Sequence, residues 1–478
     1  MKLVVGSLVF AAGCVGALSA CAQISSFQHV ILVVQENRTP DNLFQGLCSS
    51  PFGTSSSCGA PPAGSQYDIQ TSNWLDKTSS TGVTQPVGVA LANDYDPVHT
   101  HFAFSAMCDL DKSTGVCKMD GAATQGCTGD CPTRSQLRYV TNTDSILNPY
   151  LTLATSFGWA NYMFETNQGP SFPAHQFLFG GTSAPSAYDD SIATFAAENL
   201  LPYTAVDSGC IATANTTVEL ITTEGENSSI YPCLDHLTMA DLFEDNNITW
   251  KYYTPSAGTI WTAPNAIDHI CVPSKPTGGE CTGTWWVDNV VLMSSQVLTD
   301  ISNCNLQQVS WVIPGGKNSD HPQSNDGGGP AWVASIVNQI GNNPACKDGE
   351  IYWDNTAIVI TWDDWGGWYD HEPPTFLAGA QGDYQYGFRV PMIVVSAYTA
   401  AGYIDNTRQD FGSILRFLEH NFGITEGALG FADARSSTDL TEFFDLSMVP
   451  RVFTTIPSTL DANFFIHDPR PPTAPDDY

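Results

Sequence analysis

The sequence is poor in cations. Its 478 residues include 17 Lys and Arg against 49 Asp and Glu, a formal net charge of −32 and a sequence pI near 4.2. No basic run relieves that charge, so phosphate backbones are repelled and a nucleic-acid partner is excluded. The same charge opposes any anionic ligand unless a metal ion or a local cationic patch receives it. Beyond the N-terminus there is no apolar run approaching the roughly 20 residues of a membrane span. No pair of CxxC motifs occurs, which argues against a structural zinc site. No internal repeat is present. Charged residues are only 14% of the chain, but hydrophobic residues reach 42%, enough for a sizeable core and far from a disordered composition.

The N-terminus sets the expected compartment. Lys2 precedes an apolar run from Leu3 to Leu18 that ends in small residues, as a secretory signal does. Leu18-Ser19-Ala20-Cys21 fits a lipobox, in which Cys21 would become the lipidated first mature residue; simple cleavage after Ala22 is the alternative. The expectation is a signal over 1–21 and an exported protein: periplasmic, lipid-anchored at Cys21, or secreted. Twelve of the 14 Cys then remain, an even number that implies disulfides in an exported chain. Local pairing predicts Cys48–Cys58, Cys108–Cys117, Cys127–Cys131, Cys210–Cys233, Cys271–Cys281 and Cys304–Cys346.

Four short β-branched runs read as buried parallel strands: Phe27–Val34, Gln308–Ile313, Asn355–Trp362 and Val390–Ser396. Asp410–Phe422 has helical spacing, with Ile414, Leu415 and Leu418 on one face and Gly423 as a stop. The stretches 48–136 and 183–283 are rich in Ser, Thr, Gly, Pro and Cys and read as disulfide-pinned insertions over a sheet edge. The main domain is expected over 24–445, with a C-terminal extension over 446–478.

Chemistry gathers at the ends of these runs. Glu36-Asn37-Arg38 follows the first strand and offers two hard oxygen donors for a divalent cation. Asp363-Asp364 follows another. Vicinal carboxylates there cost stability unless a cation neutralises them, and Gly366-Gly367 permits a sharp turn. Asp370-His371 then returns an imidazole to the same edge. Gln168-Gly169-Pro170-Ser171 is a tight turn that presents Ser171 at a helix start, ahead of His175. Asp96-Pro97-Val98-His99, Ser319-Asp320-His321 and Gly387-Phe388-Arg389 complete the set.

In this order the motifs resemble the bacterial and fungal phosphoesterase family of acid phosphatases and phospholipases C, within the alkaline phosphatase superfamily. The resemblance runs from about Phe27 to Gly423, and the D-D-x-G-G-x-Y-D-H element is its most specific part. It implies an α/β fold, a three-layer α/β/α sandwich with the site at the carboxyl ends of the central strands. It implies a divalent metal at Glu36, Asn37, Asp363 and Asp364, with Ser171 as nucleophile. His99, His321 and His371 would surround the phosphoryl group, supported by Arg38, His175, Asp320 and Asp370. Thr39-Pro40 replaces a usual Ser-Phe, and Ala174-His175 stands where phospholipases C typically carry Asn-Arg. Acid phosphatase is therefore the first expectation and phospholipase C the alternative, the partner being a small phosphate ester or a phospholipid headgroup. No C-x-P-x-R or S-x-P-x-R motif is present, which sets a sulfatase aside. The contrasting class, a surface-anchored binding or adhesion protein with a decayed site, conflicts with the presence of every metal and nucleophile position. The histidine set predicts an optimum on the acid side.

Overall fold

The computed structural model describes residues 24–202, 208–375 and 384–471. The signal and lipidation readings at 1–21 therefore lie outside the described residues. Among the described residues, no helix is long and apolar enough to cross a membrane.

Eight strands form the central sheet: β1 His29–Gln35, β2 Gly158–Phe164, β3 Trp250–Tyr253, β4 Val290–Val291, β5 Val309–Val312, β6 Thr356–Trp362, β7 Met392–Ser396 and β8 Tyr403–Asp410. Their spatial order is β4-β3-β5-β1-β6-β7-β2-β8. Every neighbouring pair is parallel except those of β7, which runs antiparallel to both β6 and β2. The expectation of a parallel strand at Val390–Ser396 is thus corrected. A buried strand reads as a continuous apolar run in either direction, so composition could not tell them apart. All seven residues of β1 and of β6 are buried, which requires cover on both faces of the sheet. One helical set, α1 (Asn148–Ser156), α4 (Gln296–Ser302) and α5 (Gly329–Asn342), packs together. A second set comprises α2 (Ser171–Gly180), α3 (Met239–Asn246) and α6 (Phe411–Asn421). The result is the expected α/β/α layering. In α6, Asp410 accepts from the Ser413 amide as N-cap, and Ile414, Leu415 and Leu418 are buried as the spacing required.

Two sequence readings change in detail. The stretch 183–283 is not only an insertion, because it supplies α3 and β3 of the central layers. The stretch 48–136 holds the helix His101–Cys108 and short strands outside the central sheet, and much of it packs through a second apolar cluster in which Trp74, Phe104 and Met107 meet Trp365, Tyr369 and Phe388. All six expected disulfides are formed. Beyond residue 445, Phe465 is buried and packs edge-on against Trp332 of α5, with ring centroids 5.3 Å apart.

Candidate active site

The carboxyl ends of the parallel strands β1, β2, β5 and β6 meet at one edge, the usual place for a site in an open α/β sheet. β1 delivers Glu36, Asn37 and Arg38, β6 delivers Asp363 and Asp364, β2 leads through a turn to Ser171, and β5 leads to Asp320 and His321. The two metal-motif loops are stitched by backbone. The Asp363 N–H donates to the Gln35 carbonyl at 3.0 Å and the Arg38 N–H to the Asp364 carbonyl at 3.1 Å. Asn37 has φ +61°, a left-handed conformation that asparagine tolerates. Gly366 lies so close that a Cβ on it would stand 2.4 Å from the Asn37 carbonyl, and its φ is +60°. Glycine is required there, as the sharp turn demanded.

Ser171 opens α2 after Pro170 and is fully buried. Its hydroxyl donates to Asp364 Oδ2 at 3.3 Å, and Asp364 Oδ1 accepts from the Gly366 N–H at 2.6 Å. The Asn37 N–H donates to Asp363 Oδ1 at 3.0 Å. One turn along α2 from Ser171, His175 Nε2 lies 3.2 Å from Glu36 Oε1 and 3.7 Å from Asp363 Oδ2. Ligand atoms of Glu36, His175 and Asp363 all lie within 4.8 Å of one another, with all three residues buried. Asn37 Oδ1 and Asp363 Oδ2 are buried oxygens with no hydrogen-bond donor among the described residues. Converging carboxylates, a carboxamide oxygen and an imidazole suit a divalent cation, so the residues present fit the metal that the family motif calls for.

Electrostatics agree. Burial pushes the Asp363 carboxyl up, but His175, Glu36, the Asn37 amide and Ser171 together hold it below the ordinary carboxylate range. Glu165, directly after β2, goes the other way. Burial first, then Asp364 and Asp363, raise it well above its usual range. Its Oε1 accepts from the Phe388 N–H at 3.1 Å.

The histidines divide. His99 Nδ1 lies 2.9 Å from the Pro97 carbonyl and Nε2 lies 3.1 Å from Asn37 Nδ2, so a neutral ring donates to one and accepts from the other. This contact holds the Asn37 carboxamide. His321 Nδ1 is fixed by the Pro322 carbonyl at 2.7 Å, and its ring lies 6.3 Å from that of His99. His371 sits elsewhere. Its Nδ1 is 2.8 Å from Asp41 Oδ2, its Nε2 is 3.1 Å from Asp68 Oδ1, and both nitrogens are thereby engaged. Arg389 completes that second network, pairing with Asp370 at 2.8 Å and Asp68 at 3.0 Å. The structure therefore does not bring His371 and Asp370 to the Ser171 cluster but makes them part of a buried ion network. Asp320 likewise turns its Oδ2 to Tyr150 and Trp362, at 2.9 and 3.0 Å, and its backbone carbonyl receives Arg38. Arg38 stacks over Trp368 at 5.0 Å and braces the β1 loop rather than reaching the metal-type ligands.

Sequence reasoning missed Glu165, whose one signal was its place at the end of a strand that was itself missed. It also missed Trp261, which follows β3 and stands 6.5 Å from the His175 ring and 5.9 Å from that of His321.

Known proteins are similar to this chain at low sequence identity. A non-hemolytic phospholipase C of Pseudomonas aeruginosa is 25% identical over 244 residues, covering 44% of this chain and 33% of that one. The matched part is thus a third of that relative's length. Phospholipase C A of Mycobacterium tuberculosis is 22% identical over 437 residues, covering 86% of this chain and 75% of that one. A solved alkaline phosphatase superfamily protein from Vibrio parahaemolyticus is 11% identical with a TM-score of 0.31, covering 58% of this chain and 61% of that chain. The model of the phosphoesterase family matches residues 27–425. The chain belongs to the phosphoesterase family, and with it among the hydrolases of phosphoric esters.

Proposed function

We propose that the protein cleaves phosphodiesters of the phospholipid-headgroup kind at Ser171, through a covalent phosphoserine. The observation that carries this reading is the Ser171 hydroxyl at the start of α2, hydrogen-bonded to Asp364 inside the group formed by Glu36, Asn37, Asp363 and His175. The headgroup reading is supported by the relatives named phospholipases C, one of them matched over 86% of this chain. Acid phosphatase remains the second reading, favoured by Ala174-His175 in place of Asn-Arg.

Glu36, Asn37, Asp363, Asp364 and His175 would hold the divalent cation. When bound, it supplies positive charge to the phosphoryl oxygens and favours the serine alkoxide. Asp364 Oδ2 accepts the Ser171 proton as Oγ attacks phosphorus. His99 keeps Asn37 turned with its amide nitrogen outward, leaving Oδ1 for the site. His321 is the proton donor to the leaving oxygen, since His371 is committed to Asp41 and Asp68. In the second half-reaction water attacks phosphorus, His321 takes its proton, the P–Oγ bond breaks, and Asp364 returns its proton to Ser171 Oγ. Six disulfides and the leader-like first 21 residues support export.

The test is hydrolysis of p-nitrophenyl phosphorylcholine and p-nitrophenyl phosphate across pH 4–8, with and without chelator. Chelator-sensitive turnover of the diester supports the first reading. Turnover of the monoester alone shifts it to a phosphatase, and turnover of neither refutes both.

A further inference from the structure

Trp261 is buried completely, and its indole N–H has no acceptor among the described residues. Burying an indole donor unpaired costs free energy, and such groups call for an explanation. Trp332, Trp365 and Trp368 share that feature but differ in surroundings. Trp332 packs on Phe465, Trp365 has Phe104, Phe388 and, edge-on at 6.2 Å, one site histidine, His99, as neighbours, and Trp368 lies under Arg38. Trp261 is the one placed between two histidines of the site. Its ring is nearly parallel to that of His175, at 25°, and is tilted 43° from that of His321. His175 in turn reaches Glu36 and Asp363.

The indole is also held rigidly. Tyr252 of β3 donates its hydroxyl to the Trp261 carbonyl at 2.8 Å. The next residue, Thr262, shares its hydroxyl with Thr254 at 2.7 Å and Thr259 at 2.8 Å, and donates to the Ser256 carbonyl at 2.9 Å. From α2, the helix that begins with Ser171, Gln176 Nε2 donates to the Ala263 carbonyl at 3.3 Å. The loop after β3 is thus tied to the nucleophile helix, and side-chain hydroxyls fix the backbone that carries the ring. A donor placed in advance by the fold, with no acceptor among the described residues, is what stabilisation of developing negative charge requires.

We infer that the Trp261 indole N–H donates a hydrogen bond to a non-bridging phosphoryl oxygen of the substrate, and does so most strongly in the transition state. This inference rests on the reading that esters are cleaved at Ser171. The ligand class is any tetrahedral or trigonal-bipyramidal phosphoryl group, with no demand on the alcohol that leaves.

The experiment compares Trp261→Phe, which keeps an aromatic ring and deletes the N–H, with Trp332→Phe, which deletes an equally unpaired N–H on α5. The full chain is loaded with the same divalent ion throughout. Trp261→Phe should lose roughly 10²-fold in kcat on both nitrophenyl esters with little change in KM. Inhibition by orthovanadate should weaken by a similar factor. Metal content should be unchanged, and Tm unchanged or raised, because an unpaired buried donor has been removed. Trp332→Phe should match the wild type in every activity reading. A Trp261→Phe protein within twofold of wild type in kcat and in vanadate inhibition overturns the inference while leaving the proposed function standing. If the wild type cleaves neither ester, the proposed function falls, and vanadate-induced thermal stabilisation decides the donor. A Tm rise in wild type that Trp261→Phe lacks supports it, and equal rises or none overturn it. Should Trp261→Phe not fold, Trp261→His replaces it. A ring N–H there should keep kcat within about tenfold of wild type, and a larger loss in a folded protein overturns the inference.

Discussion

Raising the pH should destabilise this protein from mildly acidic conditions upward, and His371 sets the upper limb. Burial disfavours the charged imidazole, but Asp41 and Asp68, each in contact with a ring nitrogen, outweigh it and lift the pKa to about 10 from an ordinary 6.5. Arg389 opposes the shift, and Asp370 and Glu372 also face the group. A histidine raised in the folded state gives stability that is fully present below pH 6.5 and is lost as pH climbs through about 10. At about 1.4 kcal/mol per pH unit that interval is worth about 5 kcal/mol, a large share of the 5–15 kcal/mol of a typical domain. Buried carboxyls act in the same direction at lower pH. Asp320 and Asp370, each raised by burial to about 6, favour the fold while protonated and lose that contribution as pH rises through 6. Asp76 works oppositely. Held at about 2 against its burial by bonds from Thr78, Thr84 and Arg134, it gives stability above pH 3.8 that is lost towards 2. Maximum stability should therefore fall on the acid side. Urea unfolding of wild type and His371→Gln from pH 3 to 10.5, in chelator, measures it. The wild type should lose stability between pH 6.5 and 10, and His371→Gln, weaker at pH 6, should be much flatter there. A wild-type profile flat or rising over that range, or an equal fall in both proteins, would refute the argument.

Ser171→Ala should lose at least about 10³-fold in kcat with Tm preserved, because only a hydroxyl is removed; near-normal turnover would mean another nucleophile. Asp363→Asn and Asp364→Asn should each lower the metal content of the purified protein. Asp370→Asn should leave it intact and instead cost about 3–5 kcal/mol in urea unfolding, by stripping the buried Arg389 of a carboxylate. Equal metal content in both site variants would remove these residues from the metal set. His321→Asn should cost about 10²–10⁴-fold in kcat/KM at acid pH and abolish the decline of kcat/KM as pH rises, whereas His371→Gln should keep that decline. The opposite pattern would restore His371 as the acid.

Much of this was legible because β1 and β6 are fully buried on both faces. Their apolar runs stand out, and each ends abruptly in the polar residues that form the site. β2 and β8 were not legible. GWANYMF mixes polar and apolar residues, and YIDNTRQD lies half exposed at the sheet edge, so neither has the continuous or alternating pattern of a strand. β3 was hidden inside a stretch whose Ser, Thr and Cys content marks loops, although Trp250, Tyr252 and Tyr253 are buried. The pairing of cysteines was readable because each partner lies near in sequence, with separations from 4 to 42 residues.

The roles of the acidic residues were the harder part, since charge type and strand-end position do not say which cation answers them. Asp363 and Asp370 are seven residues apart on one loop, yet they serve different ends. Asp370 meets Arg389 and belongs with Asp41, Asp68 and His371 in a network that balances most of its charge internally. Asp363 keeps Oδ2 without a donor among the described residues, and burial together with Asp364 and Asp363 pushes the Glu165 carboxyl up. What separates them is the intervening Trp365-Gly366-Gly367-Trp368-Tyr369. The two glycines turn the chain tightly against Asn37 and Pro97, while Trp365 and Tyr369 lock into the apolar cluster of the 48–136 stretch. That insertion therefore does more than cover the edge. By holding the two aromatics it fixes where the loop divides, with carboxylates for an external cation on one side and for Arg389 on the other. A chain carrying −32 repels a phosphate ester unless a cation receives it, and the division leaves Glu36, Asp363 and His175 grouped for one beside the helix that Ser171 opens.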